Sequence, residues 1–174
     1  MTQTLDKIAA GLERAFAQHG FAEPSVDTLR AAADVSLRTL YKYLPSRADM
    51  VLAALDHRHQ RYLSHILDGL PPDPLAARFL LMDRVASWMQ IEATHGCLFH
   101  AAVASDPTNR PLRKLLEDHK QEVAQRTADA TGLAGHEVTL LLILEGLTQS
   151  WPLHGQVSVT AAKALVSVVP AGSP

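Results

Sequence analysis

Apolar residues recur along almost the whole chain at the spacing of an amphipathic α-helix. The first such helical face consists of Leu5, Ile8, Ala9, Leu12 and Phe16. This helix is expected to end near Gly20, because glycine suits the left-handed position that follows many helices. Residues 157–160 are the only stretch with the two-residue period of a strand, and they are too few to form one. The pattern therefore predicts an all-α protein.

Two short helices are predicted next, each opened by a serine that can cap its N-terminus. Ser25 precedes the first of them, and Asp34 marks its end. The inner face of this helix consists of Val26, Leu29 and Ala33. Ser36 precedes the second, which must end by Leu44 because Pro45 disfavours helical geometry in the residue before it. Three helices thus fit within the first 44 residues.

Longer helices are predicted in the rest of the chain. Ser46 and Asp49 match a capping box at the start of a long helix, which the prolines of residues 71–74 end. Asp73 is the expected cap of the following helix. Further helical patterns cover residues 75–93, 111–131, 138–147 and 160–168, with a short apolar run at 98–104. Residues 138–147 are apolar nearly all round, as expected of a helix buried on several sides.

The composition favours one or two packed domains of a soluble protein. The 174 residues are 47% apolar and 20% charged, which argues against disorder. The one cysteine, Cys97, cannot form an internal disulfide, so a reducing cytoplasm is the expected location. Residues 1–10 do not resemble a signal peptide or an anchor. Residues 138–153 are too few to span a bilayer, which takes about 20, so no membrane association is expected.

The charges are slightly uneven along the chain. The formal net charge is −2, so binding to nucleic acid would have to come from a local patch. Residues 1–47 carry six Lys or Arg and five Asp or Glu, a net charge of +1 that leaves −3 for the remainder. The asymmetry favours a nucleic-acid contact in the N-terminal segment, with affinity supplied by clustering and by a dimer that doubles the contacts.

The three N-terminal helices match the architecture of a helix-turn-helix unit, whose second helix enters the major groove of DNA. The segments that carry the match are Gly20-Phe21, Ser25-Val26-Asp27, Ala31 to Ser36, Thr39 to Leu44 and Ser46-Arg47. In this order they resemble the N-terminal domain of TetR-family transcriptional regulators over about the first 55 residues. The resemblance implies a DNA-binding domain at residues 1–46 and a ligand-binding and dimerisation domain, a helical bundle, at residues 47–174.

The candidate DNA contacts lie on the third helix and beside it. They are Ser25, Ser36, Leu37, Arg38, Thr39, Tyr41, Lys42, Tyr43 and Arg47. By resemblance, Thr39 and Tyr41 contact bases or the adjacent backbone, Tyr43 and Arg47 hold phosphates, and Ser25 contacts phosphate too. The exposed surface of the third helix carries two cations and no acid, and Arg38 can make a bidentate contact with guanine.

The chain departs from the family pattern at three places. Asp34 stands in the turn where the family usually has glycine, and aspartate tolerates left-handed geometry better than most residues. Leu44 stands where the family usually has phenylalanine. Leu37 and Arg38 are bulkier than the small residues often found at the start of the recognition helix, so the operator cannot be inferred from relatives.

The C-terminal domain is expected to bind a small hydrophobic ligand and a second copy of the chain. The candidate pocket residues are Leu63, Ile66, Leu67, Phe79, Met82, Val85, Trp88 and Met89, with His100 or His65 as a polar anchor. The candidate dimer residues, implied by the resemblance, are Leu140, Leu141, Ile143, Leu144, Leu147 and Trp151. Ordinary core packing is the alternative for both sets.

The resemblance implies a homodimeric regulator, by the family's usual mode a repressor, that binds a palindromic operator in double-stranded DNA and is released by its ligand. A helical small-molecule-binding protein or a protein–protein adaptor without DNA binding is the alternative. Catalytic triads, paired carboxylates and phosphate-binding loops are absent, so neither enzymatic activity nor a cofactor is expected. His95, Cys97 and His100 do not have the spacing of a zinc site. Cys97 has no cation beside it in sequence to activate it.

Overall fold

The computed structural model describes residues 3–93 and 96–172, and within them the chain forms α-helices and no β-strand. This confirms the all-α prediction. The helices are α1 (Gln3–His19), α2 (Val26–Ala33), α3 (Leu37–Tyr43), α4 (Arg47–Leu67), α5 (Pro74–Ile91), α6 (Leu98–Ser105), α7 (Arg110–Ala130), α8 (Glu137–His154) and α9 (Gln156–Ser167). Across this part of the chain, none of the helices is long and apolar enough to cross a membrane.

The predicted helix caps are confirmed by hydrogen bonds. The Ser25 and Ser36 hydroxyls accept from backbone N–H groups at the starts of α2 and α3, each at 3.1 Å. The Asp73 carboxylate accepts from an N–H of α5 at 2.8 Å. Ser46 and Asp49 form the reciprocal pair of a capping box, with N–H to side-chain oxygen distances of 3.0 and 3.1 Å. Each cap satisfies donors that the first helical turn leaves unpaired.

The two C-terminal helices are longer than their sequence pattern predicts. α8 continues beyond residue 147 to His154 and includes Pro152, while α9 begins at Gln156 rather than at Thr160. Residues 157–160 are therefore helical. Trp151 packs against the hydrophobic core, and this tertiary contact supports a helical turn whose own sequence is a poor helix former.

The chain packs as two compact units. The first contains Met1–Arg61 and Leu98–Leu116, and the second contains Tyr62–Cys97 and Glu117–Pro174. α4 and α7 each contribute residues to both units. Most of α4 thus packs in the same unit as the helix-turn-helix. The domain boundary expected from the sequence, at residue 46, lies before α4.

Each unit has its own hydrophobic core. In the first, the largest fully buried side chains are Ile8, Leu12, Phe16, Leu29, Leu40, Met50 and Leu55. Phe21 closes this core by stacking on Phe16 with ring centroids 5.0 Å apart. In the second unit, the core is formed by residues of α4, α5, α7, α8 and α9, with Leu81, Met82 and Val85 of α5 completely buried.

A buried arginine braces the second unit. The Arg78 guanidinium donates to the carbonyl oxygens of Thr131 at 3.0 Å and Gly132 at 3.3 Å, which follow the last turn of α7. It also donates to the carbonyl oxygens of Val169 at 3.0 Å and Val166 at 3.5 Å, at the end of α9. A positive charge at two helix C-termini is favourable because the unpaired carbonyls there carry partial negative charge.

Candidate nucleic-acid interface

The turn between α2 and α3 has the left-handed conformation that the sequence predicts for Asp34. This residue has φ 51° and ψ 53°, and its N–H bonds back to the carbonyl of Ala31 at 3.1 Å. Its carboxylate lies 2.7 Å from the Lys7 Nζ. This hydrogen bond, and then the positive charge of Lys7, hold the pKa of Asp34 below its ordinary value. The turn therefore retains its shape without the usual glycine.

α1 supports α2 through one face. Gly11 lies against the backbone of Ala32 and Ala33, so closely that a Cβ on Gly11 would stand 2.5 Å from the Ala33 Cα. Arg14 donates to the carbonyl oxygen of Ala32 at 3.3 Å. Backbone contact of this kind requires glycine, because any side chain would force the two helices apart.

α3 presents a surface of cationic and aromatic residues. Leu40 is completely buried and anchors the helix, whereas Arg38 and Lys42 are exposed. Leu37 and Tyr41 keep 44% and 41% of their surface exposed. α3 contains no acidic residue. This surface is suited to the phosphates and base edges of a DNA groove.

The hydroxyl residues of the predicted interface have structural partners as well. Ser25 and Ser36 cap α2 and α3, and the Ser36 hydroxyl lies 2.8 Å from that of Thr39. Thr39 and Tyr43 are half-buried, and the Lys42 Nζ lies 5.8 Å from the centre of the Tyr43 ring. These hydrogen bonds hold the hydroxyl groups of Ser25, Ser36 and Thr39 in place in the absence of DNA.

Arg47, an expected phosphate contact, is hydrogen-bonded within the protein. Its guanidinium donates to the carbonyl oxygens of Phe21 at 2.7 Å and Pro24 at 2.8 Å, and it lies 5.8 Å from the centre of the Phe16 ring. The side chain therefore braces the loop before α2. Sequence alone did not indicate this role, because the acceptors lie more than 20 residues away along the chain.

The net charges of the two packing units differ more than those of residues 1–47 and the remainder of the chain. The first unit carries eleven Lys or Arg and eight Asp or Glu, a net charge of +3, and the second carries −5. α7 accounts for most of the difference, because Arg110, Arg113 and Lys114 belong to the first unit. The unit that contains the helix-turn-helix is thus clearly cationic.

The predicted pocket residues are distributed over two cores and both units. Leu63, Ile66, Met82 and Val85 lie in the main core of the second unit, with Leu67 and Phe79 packed against it. Trp88 and Met89 form a smaller cluster that Tyr62 and Trp151 join. His65 also belongs to the second unit, where its Nε2 lies 3.0 Å from the carbonyl oxygen of Arg84. His100 belongs to the first unit.

The predicted dimer residues divide between the core and the surface. Leu140, Leu144 and Leu147 are buried within the second unit, whereas Leu141, Ile143 and Trp151 are half-buried. The exposed apolar face of α8 and α9 contains Leu142, Leu165 and Val168, which line one groove. Val138, Leu153 and Val157 are exposed large apolar residues of the same two helices. Leu142, Gly146 and Ser150 recur every four residues, so they lie on one side of α8. The sequence pattern did not single out this side, because α8 is apolar nearly all round.

A groove of about 520 Å³ runs along this exposed face. Leu142, Gly146 and Leu165 are among the residues that line it. Ser158, also in the lining, has a buried hydroxyl without a hydrogen-bond partner in the described part of the chain. An unpaired buried hydroxyl is unfavourable.

Cys97 has a cationic neighbour that the sequence did not reveal. Its Sγ lies 3.9 Å from the Lys120 Nζ, which is paired with Glu145 at 2.6 Å. Burial, followed by the charges of Cys97 and Glu145, raises the pKa of Tyr62. His95 lies outside the described residues. Among those described, no three His, Cys, Asp or Glu side chains gather as metal ligands would.

Comparison with known proteins agrees with this architecture. Residues 8–54 match the family model described as bacterial regulatory proteins, tetR family. The chain is 22% identical over 142 residues to an uncharacterized HTH-type transcriptional regulator in the lacX 3′ region of Lactococcus lactis subsp. lactis, covering 76% of this chain and 72% of that protein.

Solved structures show the same fold over nearly the whole chain. A TetR-family transcriptional regulator from Streptomyces coelicolor has a TM-score of 0.76 at 19% identity, covering 97% of this chain and 95% of its own. The multidrug binding protein EbrR, in complex with malachite green, has a TM-score of 0.72 at 20% identity, covering 98% and 99%.

The capped helices α2 and α3, their left-handed turn and the cationic surface of α3 define a helix-turn-helix unit, a class of motif that places its second helix in a DNA groove. Residues 8–54 match the tetR family of bacterial regulatory proteins, and the chain has the fold of solved TetR-family transcriptional regulators.

Proposed function

We propose that the protein is a homodimeric repressor that binds a palindromic operator and is released from it by a small hydrophobic ligand. The exposed surface of α3 carries the proposal, because it combines cations and an exposed tyrosine without any acid. α3 is expected to lie in the major groove, with Arg38 at a base edge and Tyr43 near the phosphates. Since its target is the chromosome, we propose that the protein acts in the cytoplasm.

The exposed apolar face of α8 and α9 supports the homodimer. Leu142, Leu165 and Val168 are each more than half exposed and line one groove there, and contiguous exposed apolar surface often marks a protein–protein interface. A second copy that packs its own α8 and α9 against this face would form a four-helix contact with two-fold symmetry. It would also cover the groove and the buried Ser158 hydroxyl.

The apolar interior of the second unit supports a hydrophobic ligand. Met82, Trp88 and Met89 are buried side chains that can change rotamer to accommodate a ligand. EbrR, which has the same fold, is described as a multidrug binding protein and holds malachite green. Binding is expected to change the separation of the two recognition helices from the roughly 34 Å that successive major grooves require.

Arg38→Ala is expected to relax sequence preference, whereas Tyr43→Ala is expected to weaken binding to every sequence. A bidentate arginine discriminates one base by about 1–3 kcal/mol, while a phosphate contact does not depend on the base. Fluorescence anisotropy with an operator and its single-base variants measures both effects. Equal losses on all bases for Arg38→Ala would contradict its assignment. Unchanged DNA retention would favour the adaptor alternative.

Leu142→Glu is expected to produce monomers. A carboxylate at the centre of the apolar face would be desolvated on association, and its desolvation costs several kcal/mol if it remains charged. Analytical ultracentrifugation at micromolar concentration measures the result. Ile91→Glu is the matched control, because Ile91 is 70% exposed but lies on α5, outside the face. A Leu142→Glu variant that sediments with the wild-type mass would place the dimer contact elsewhere.

A further inference from the structure

One buried carboxylate joins α1 to α4. Glu13 is only 2% exposed and accepts three hydrogen bonds from consecutive turns of α4. Its Oε2 lies 2.6 Å from the His57 Nδ1, and its Oε1 lies 3.0 Å from an Arg58 Nη1 and 2.7 Å from an Arg61 Nη1. A carboxylate has about four acceptor sites, so one helix occupies most of them.

This arrangement is more directional than simple apolar packing. A buried carboxylate is unfavourable unless charged or polar partners satisfy it. Since these three partners lie within five residues of α4, rotation or sliding of α4 along α1 would break several of these bonds together. The hydrophobic effect, by contrast, is non-directional. The cluster therefore fixes the direction of α4 on α1.

α1 carries the helix-turn-helix on a different face. Lys7, Gly11 and Arg14 contact the turn and the end of α2. At 100° per residue, Glu13 lies about 130° around the helix from the centre of that face. α1 is thus held to α2 on one side and to α4 on the other, and it links the orientation of α3 to that of α4.

We propose that Glu13 is a positioning residue that sets the half-site spacing the protein accepts in its operator. The proposal rests on the homodimeric operator binding described above. In such a dimer, the direction of each α3 relative to α4 determines where the two recognition helices meet the DNA. One additional base pair between half-sites rotates one of them by about 34° about the DNA axis, so a fixed α1–α4 arrangement accepts a single spacing.

The test uses the full-length protein and a series of palindromes whose half-sites are separated by stepwise insertions or deletions of one base pair. Glu13→Gln keeps the shape of the side chain and replaces an acceptor oxygen with an NH₂ donor, which cannot accept from arginine. The wild type is expected to lose at least about tenfold in affinity per inserted base pair. Glu13→Gln is expected to lose less than about threefold per step.

Glu23→Gln is the matched control, because Glu23 is an exposed residue of the same unit and the substitution changes the charge equally. It is expected to keep the wild-type spacing preference. If Glu13→Gln does not fold, Arg61→Gln replaces it, since Arg61 is the partner with a side chain 38% exposed and Arg58 remains paired. Arg61→Gln is expected to broaden the preference to a smaller extent, with thermal unfolding recorded for each variant.

The possible outcomes separate the two proposals. A Glu13→Gln or Arg61→Gln variant that binds all spacings more weakly but in the wild-type ratio has only a stability defect, and this would overturn the positioning role. A wild type that binds none of the palindromes would overturn the operator binding itself. We expect the wild type and the Glu23→Gln control to prefer one half-site spacing sharply. We expect the Glu13 or Arg61 variant to accept a broader range of spacings.

Discussion

Arg78→Met is expected to destabilise the second unit by about 3–5 kcal/mol. Methionine fills much of the same volume, but it leaves four carbonyl oxygens at the ends of α7 and α9 without the guanidinium donors. For a chain of this length, a loss of that size corresponds to a decrease in melting temperature of roughly 10 °C. Thermal unfolding followed by circular dichroism measures it.

Arg84→Met is the control for this prediction. Arg84 is a half-buried arginine of the same helix, and its Nη1 donates to the Ile66 carbonyl oxygen at 3.4 Å. Its replacement is expected to cost about 1 kcal/mol. Arg78→Lys should fall between the two, because lysine keeps the charge but not the planar fork of donors. If Arg78→Met were as stable as Arg84→Met, the hydrogen bonds of Arg78 to α7 and α9 would not contribute to stability.

Gly11→Ala is expected to lower the melting temperature by about 5 °C, although alanine is the better helix former by about 1 kcal/mol. The new methyl group would meet the backbone of Ala32 and Ala33, which cannot move without shifting α2. Because α2 positions α3, the affinity for operator DNA is expected to fall at least about tenfold. Unfolding and DNA titrations on the same preparation test both effects.

Gln18→Ala, an exposed change in the same helix, provides the reference for helix propensity. It is expected to leave both the melting temperature and the DNA affinity close to wild type. A Gly11→Ala protein that is more stable than wild type would show that α1 and α2 do not depend on backbone contact.

The parts of the fold that depend on neighbouring residues were predictable from sequence. Serine and aspartate caps, the proline that ends α3 and the aspartate that replaces a turn glycine all act within four residues of their own position. The predicted starts of α2, α3 and α5 therefore agree with the structure. The fold class follows from the helical period of the apolar residues.

Contacts between distant residues were not predictable in the same way. Arg47 and Lys120 find partners 23 or more residues away, and no local pattern identifies them. In α8, apolar residues surround the helix, so the pattern did not separate Leu140 in the core from Leu142 at the surface. Glu13 did leave a signal, because it lies at a position that continues the apolar stripe of Ala9 and Phe16.

Sequence-specific binding to a palindrome is the central claim, and selection of bound fragments from a random double-stranded DNA library tests it most directly. The purified protein is incubated with the library at two salt concentrations, with Arg38→Ala in parallel. We expect a palindrome with half-sites about one helical turn apart, bound more weakly at high salt, and a relaxed preference at one position for the variant. Recovery of no enriched sequence at either salt concentration would contradict the account.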